Sequence, residues 1–154
     1  MIASKSPLKW ERFAILNWEL NYIEPEDDTD QLNPRECFKQ YQIDIDFEHQ
    51  VLEEQTLRVF LNLRINDMDD AIAGYRIRID ALGIFDISET LEMDEGMQQN
   101  LHGFATTNLM IGRLRGILPT FTGQAPFGSY QLPSIDMNDL IHQKVEQVTN
   151  QKAK

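Results

Sequence analysis

The chain has 154 residues, enough for one domain, with an ordinary globular composition of 42% hydrophobic and 25% charged residues and a net charge of −11. That charge repels phosphate backbones and anionic lipid, which argues against nucleic acid and membrane surfaces as partners. The N-terminal Met1-Ile2-Ala3-Ser4-Lys5-Ser6-Pro7 has no apolar signal core, no apolar run approaches the ~20 residues that span a bilayer, and the single Cys37 excludes an intrachain disulfide, so a cytoplasmic protein is expected.

The first regular pattern is a weak alternation, with Leu16, Trp18, Leu20 and Tyr22 opposite Asn17, Glu19 and Asn21. The stretch Glu24-Pro25-Glu26-Asp27-Asp28-Thr29-Asp30, with Asn33-Pro34 after it, reads as an exposed acidic loop whose prolines keep it out of a sheet interior. From Tyr41 to Glu48 every odd residue is apolar and every even one polar. Thr56 to Asn66 repeats this through Leu57, Val59, Leu61, Leu63 and Ile65, with Phe60 alone interrupting the polar face. Ala71 to Ala81 continues it through Tyr75, Ile77 and Ile79 against Arg76, Arg78 and Asp80. Period-2 alternation means strands with one dry and one wet face, which belong to antiparallel sheets. His49–Gln55 and Asp67–Asp70 are short polar connections suited to hairpins. On the polar face Asp44, Asp46 and Glu48 are expected to pair across strands with Arg58, Arg64, Arg76 and Arg78.

After Glu89 the periodicity changes. Glu92 to Gly103 is a polar, Met-containing loop or short helix. Asn108 to Leu118 follows helical spacing through Leu109, Ile111, Leu114, Ile117 and Leu118, and Pro119 is expected to kink or end that helix. Gly112 and Gly116 lie on one face of it, where each costs up to ~1 kcal/mol against alanine, and so point to close approach of another backbone. A Gly/Pro-rich stretch from Gly123 to Pro133 leads to a last helix, capped by Asp136, with Met137, Leu140, Ile141, Val145 and Val148 as its apolar stripe and fraying from Thr149 onward. The expected architecture is a single α+β domain over residues 1–154. Its four-stranded antiparallel sheet covers 13–88, and two C-terminal helices cover 108–150.

No catalytic constellation assembles. His49, His102 and His142 are far apart without metal-ligand spacing, Cys37 has no activating flank, and Asp67-Met68-Asp69-Asp70 lacks the glycine and distal glutamate of a calcium loop. A phosphate-cradling glycine loop is also missing, so neither an enzyme nor a cofactor is expected.

Three fragments in order resemble the SecB family of export chaperones. Leu82-Gly83-Ile84-Phe85-Asp86-Ile87 is similar to the Gly-Ile-Phe-x-Ile run that closes that family's fourth strand. Asn108-Leu109-Met110 resembles the Asn-Ile-Leu that opens its long helix, with Arg115 at the position of the helix arginine. Leu132-Pro133-Ser134-Ile135-Asp136-Met137-Asn138-Asp139-Leu140-Ile141 is similar to the segment before its last helix. The resemblance implies a homotetramer that holds unfolded polypeptide in hydrophobic grooves with neither cofactor nor ATP, in the service of protein export or of a dedicated client such as an antitoxin. Under it, Trp18, Tyr22, Phe60, Ile84, Phe85, Met93, Met97 and Phe127 are candidates for client contact, and Gly112, Arg115 and Gly116 for the oligomer interface. The family's acidic docking positions for the SecA motor fall here on Asn17, Asn21 and Arg78, so SecA docking is expected to be weak or absent. Two other readings compete with a holdase: a regulatory protein of this fold with one folded partner, and a small-ligand-binding protein.

Overall fold

The structure is a computed structural model and describes residues 1–25, 33–53 and 55–152. In chain order it contains β1 (Lys9–Ile23), α1 (Pro34–Gln40), β2 (Ile43–Leu52), β3 (Thr56–Ile65), β4 (Gly74–Asp86), α2 (Glu95–Gln99), α3 (Thr106–Thr122) and α4 (Met137–Lys152). A 3-10 turn at Ser88–Thr90 and a π-helical turn at Asn100–Ala105 join β4 to the helices. The strands form one antiparallel sheet in the order β1-β4-β3-β2. β2, β3 and β4 are hairpin neighbours, while β1 pairs with the far side of β4, so β1 and β2 are the two edges.

The alternation decides which face is dry, because successive side chains of a strand point to opposite sides. Leu57, Val59, Leu61, Leu63 and Ile65 of β3 and Tyr75, Ile77, Ile79, Ala81 and Phe85 of β4 are all buried. Met110, Ile111, Leu114 and Leu118 of α3 join them in one core, each such side chain contributing about 1.5–3 kcal/mol on burial. A Cβ on Gly83 would meet Met110 Sδ at 2.5 Å, so the missing side chain is what lets α3 settle on the sheet.

Several boundaries depart from the sequence reading. β1 starts at Lys9, and a bulge between Ile15 and Asn17 throws Leu16 out of phase; it is 56% exposed rather than on the dry face. β2 runs on to Leu52, through part of the expected turn, while Tyr41 leaves the strand and ends α1. Of the expected acidic loop, residues 26–32 lie outside the described residues, and Asn33-Pro34 begins α1: the Asn33 side chain accepts the Arg35 N–H and Pro34 occupies the first turn. Pro119 does not end α3. It sits in the last turns, where losing one donor is tolerated, and the helix closes at Thr122 with its hydroxyl donating to Leu118 O. Asp136 does cap α4, accepting the N–H groups of Asn138 and Asp139. α4 continues to Lys152 instead of fraying at Thr149, whose hydroxyl donates to Val145 O.

The polar face is ion-paired, but with other partners than expected. Asp44 stands opposite Arg64 in the register, yet Arg64 turns to Asp80 at 2.7 Å. Arg78 takes Asp67 at 2.8 Å and Glu19 at 3.5 Å, and Asp46 reaches across to Lys144 of α4 at 2.6 Å. Asp67 and Asp80 are more sheltered from solvent than an acid on the β2 edge, so their attraction is less screened.

Candidate functional site

α1 carries Phe38 into the space between the sheet and the chain that follows α3. Its ring lies 5.2 Å from Tyr130, 5.5 Å from both Tyr41 and Tyr75, and 6.5 Å from Phe127. Tyr22 adds itself edge-on to Phe127 at 5.6 Å. Hydroxyl groups fasten the cluster. Tyr41 accepts the Tyr75 N–H at 2.7 Å and donates to Ala73 O at 3.2 Å, and Tyr75 donates to Gly128 O at 2.8 Å. Burial pushes the Tyr41 hydroxyl up to about 12, so it stays a neutral donor at every physiological pH.

The segment between α3 and α4 is tied back by Arg115, which donates to Leu132 O at 3.2 Å and Pro133 O at 3.1 Å. Two open clefts result on either side of Ile43. One, of about 280 Å³, is lined by Phe38, Tyr41, Ile43 and Pro133 with Lys39 and Gln131 at its rim. The other, of about 220 Å³, runs between β2 and α4 over Ile43, Ile45, Ile135 and Leu140, with Asp44, Asp136 and Asp139 along it. Together they make a groove that is apolar at its floor and mainly acidic at its margin. It follows β2, whose outer edge pairs with no strand among the described residues. Unpaired strand edges present alternating N–H and C=O groups to any extended chain laid beside them. Lys144, paired to Asp46 and lying 5.7 Å over the Phe47 ring, holds α4 against β2 and keeps the groove's second wall in place.

A second buried network lies behind β2. The Thr106 hydroxyl donates to His102 O and the Thr107 hydroxyl to Gly103 O, so His49 Nε2 must be the donor toward both threonines, at 3.1 and 3.2 Å. By the same logic His102 Nε2 donates to the Thr90 hydroxyl at 2.7 Å, since that hydroxyl donates to Ile87 O. Both imidazoles are held below the ordinary histidine range by burial, His49 further by the neighbouring His102 charge. Two of the three histidines that looked scattered in sequence, His49 and His102, thus belong to one structural network, while His142 stays exposed on α4 beside Glu146. Among the described residues no group of three His, Cys, Asp or Glu is placed to hold a metal ion.

The side chains singled out from sequence do not converge. Tyr22 and Phe127 join the aromatic cluster at the Gly74 end of β4, and Trp18 stacks at 4.5 Å on Phe121 nearer the middle of β1. Met93 is half-buried and Met97 exposed in and before α2, beyond the other end of β4. Ile84 and Phe60 lie on the opposite, wet face. Phe85 is a correction: it points to the dry face, stacks on Trp10 at 5.5 Å and is fully buried, so no client reaches it without unpacking the core. Outside the turns of α3 itself, nothing in the protomer lies within 4 Å of where a Cβ on Gly112 or Gly116 would stand, so the close backbone contact expected for them is not with this chain's own sheet. Sequence reasoning missed Phe38, Ile135 and the wall role of Arg115. Phe38 had a signal: Asn33-Pro34-x-Glu36 is a helix start, and Phe38 is the apolar residue it carries.

No family model matches the sequence, and no curated protein matches it. A solved structure does match by shape: a Mycobacterium tuberculosis SecB-like chaperone in complex with a ChAD peptide from the HigA1 antitoxin. The likeness covers 84% of this chain and 91% of that one at 13% identity, with a TM-score of 0.50. No helix among the described residues is long and apolar enough to cross a membrane. The strand order, the pair of C-terminal helices and this correspondence agree: the chain has a divergent SecB-like fold.

Proposed function

We propose that this protein is an ATP-independent holdase that binds unfolded polypeptide in the groove along β2. The observation that carries the reading is the coincidence of an unpaired strand edge with an apolar floor made by Phe38, Tyr41, Ile43, Ile45, Ile135 and Leu140. Such a site takes backbone hydrogen bonds from any extended chain and side chains of loose specification, which is what a holder of unfolded clients requires. The acidic margin favours client stretches in which apolar and basic residues alternate. The peptide-bound state of the SecB-like neighbour supports the same reading.

The dedicated-client form of this function, with an antitoxin as one example, is favoured over a standard export role. Where a basic motor segment would meet the sheet, Arg76 and Arg78 already occupy Asp67, and Arg78 also Glu19, so these carboxylates are not free to receive it. A basic segment would have to compete with the arginines for them, which weakens binding at short range even on a chain of net −11. The test is suppression of aggregation of a refolding model substrate at stoichiometric ratio with no nucleotide. Wild type should suppress it, and Leu140→Asp, checked to be folded and of unchanged assembly, should lose most of the effect. Equal suppression by the variant would remove the groove from the proposal. No suppression by wild type would leave the fold without this function.

A further inference from the structure

The sheet face turned away from the helices divides into two halves. Toward the β3–β4 hairpin its charges are matched: Arg64 with Asp80, Arg76 and Arg78 with Asp67, Arg78 with Glu19. Toward the other end the register puts Arg58, Ile84 and Arg12 in one row across β3, β4 and β1, and Phe60, Leu82 and Ala14 in the next. Neither Arg12 nor Arg58 has a carboxylate within ion-pair distance among the described residues. Arg58 Nε is shielded from solvent without a hydrogen-bond partner, and Nη1 reaches only Gln50 Oε1, at 3.5 Å. Its guanidinium stands 5.7 Å over the Phe60 ring. Two unmatched cations stand around an apolar patch bordered by Glu48, opposite Phe60, and by Asp86, which Lys9 pairs, on a face where the four apolar side chains keep partial contact with solvent.

We propose that this half of the open face docks an acidic amphipathic helix of a partner protein. Sign and spacing select the occupant. Arg58 and Arg12 are two strands apart, so their backbones are separated by about 10 Å, with Ile84 between them. Carboxylates seven residues apart on a helix stand about 10.5 Å apart on one face, with positions three and four residues in lying between them. An extended chain does not match: residues on one of its faces are spaced about 7 Å or about 13 Å apart. The fitting pattern is Glu-x-x-Leu-Leu-x-x-Glu, its leucines on Ile84, Leu82 and Phe60 and its carboxylates on the two guanidiniums. This surface is separate from the groove along β2, so a client and such a helix bind at once.

The probe is a synthetic helical peptide built on that pattern, titrated at physiological salt, with amide chemical shifts of the full chain as readout. Saturable binding is expected, with shifts at Arg58, Phe60, Leu82 and Ile84, and no binding is expected of the same peptide with Lys in place of Glu. The Arg12→Gln/Arg58→Gln double variant should bind at least roughly tenfold more weakly, since it removes both charge-assisted pairs, while suppressing client aggregation like wild type. Because it deletes charge from exposed and half-exposed positions, it should keep the wild-type fold, and Phe60→Ser gives a second measure of the apolar half. Absence of binding by the acidic peptide, equal binding of the Lys peptide, undiminished affinity of the double variant, or shifts confined to Ile43 and Leu140 would each overturn the proposal.

Discussion

Gly74 shows how one residue conditions the aromatic cluster. It has φ +113°, and a Cβ there would lie 2.0 Å from the Tyr41 hydroxyl. Gly74→Ala therefore both strains the backbone and evicts the hydroxyl that accepts the Tyr75 N–H. A loss of about 2 kcal/mol or more is expected, read as a lower urea midpoint at unchanged slope. The histidine network gives a pH dependence of defined sign. A buried histidine with a lowered pKa stays neutral in the folded state while the unfolded chain takes up a proton near pH 6.5. Below that point the unfolded state binds more protons, so stability falls as pH drops from about 6.5 toward the depressed folded values. The carboxylates act lower. Asp67, held below its usual range first by the hydrogen bonds from Arg78, contributes stability that is lost only as pH falls below the ordinary aspartate value of about 3.9. Melting temperature should therefore decline between pH 7 and 5, and the decline should shrink in His49→Gln, which keeps a donor for the threonines but cannot be protonated.

Among the elements, α4 depends most on local chemistry. It buries Met137 and part of Leu140 but leaves Val145 and Val148 largely exposed, so its apolar stripe is only half used. Its attachment rests on the Asp136 cap at one end and the Lys144–Asp46 pair along its length. Asp136→Ala should remove about 0.5–2 kcal/mol, seen as faster hydrogen exchange along α4 while β3 and β4 keep their protection. Because α4 is a wall of the groove, client holding should weaken with it. The strands were legible because alternation is a one-dimensional signal; β3 appeared almost residue for residue. β1 was the weakest reading because its bulge reverses the phase midway, so that no single alternation covers Lys9 to Ile23.

For the whole molecule the expectation is self-association. A 15-residue edge strand, β1, has no partner on its outer side among the described residues, and unprotected edges of that length invite pairing. The outer face of α3 shows Leu109 and the two open glycines. Light scattering after size exclusion should give about four times the 17.9 kDa protomer mass, the state implied by SecB resemblance. Gly112→Leu sharpens the test. Gly112 is exposed and a Cβ there has open space around it, and leucine improves helix propensity, so the protomer should be no less stable. A smaller particle would then report bulk entering a contact between copies, and an unchanged particle would place the interface elsewhere.

Periodicity and cap chemistry were enough to determine four antiparallel strands, the dry and wet faces of β2, β3 and β4, and the α4 cap, while the SecB-like reading came from resembling fragments. These depend on neighbours a few residues away, or on the fixed geometry of a strand. The groove was not legible because its walls come from α1, β2, the segment after α3, and α4, which no sequence spacing brings together. Phe85 and Phe60 show the same limit from opposite sides. Both are aromatic residues in strands, but the register sends one onto Trp10 in the core and leaves the other beside an unpaired guanidinium on the open face. Which aromatic is structural and which is free to bind is a property of what packs against each face, and only the tertiary structure decides that.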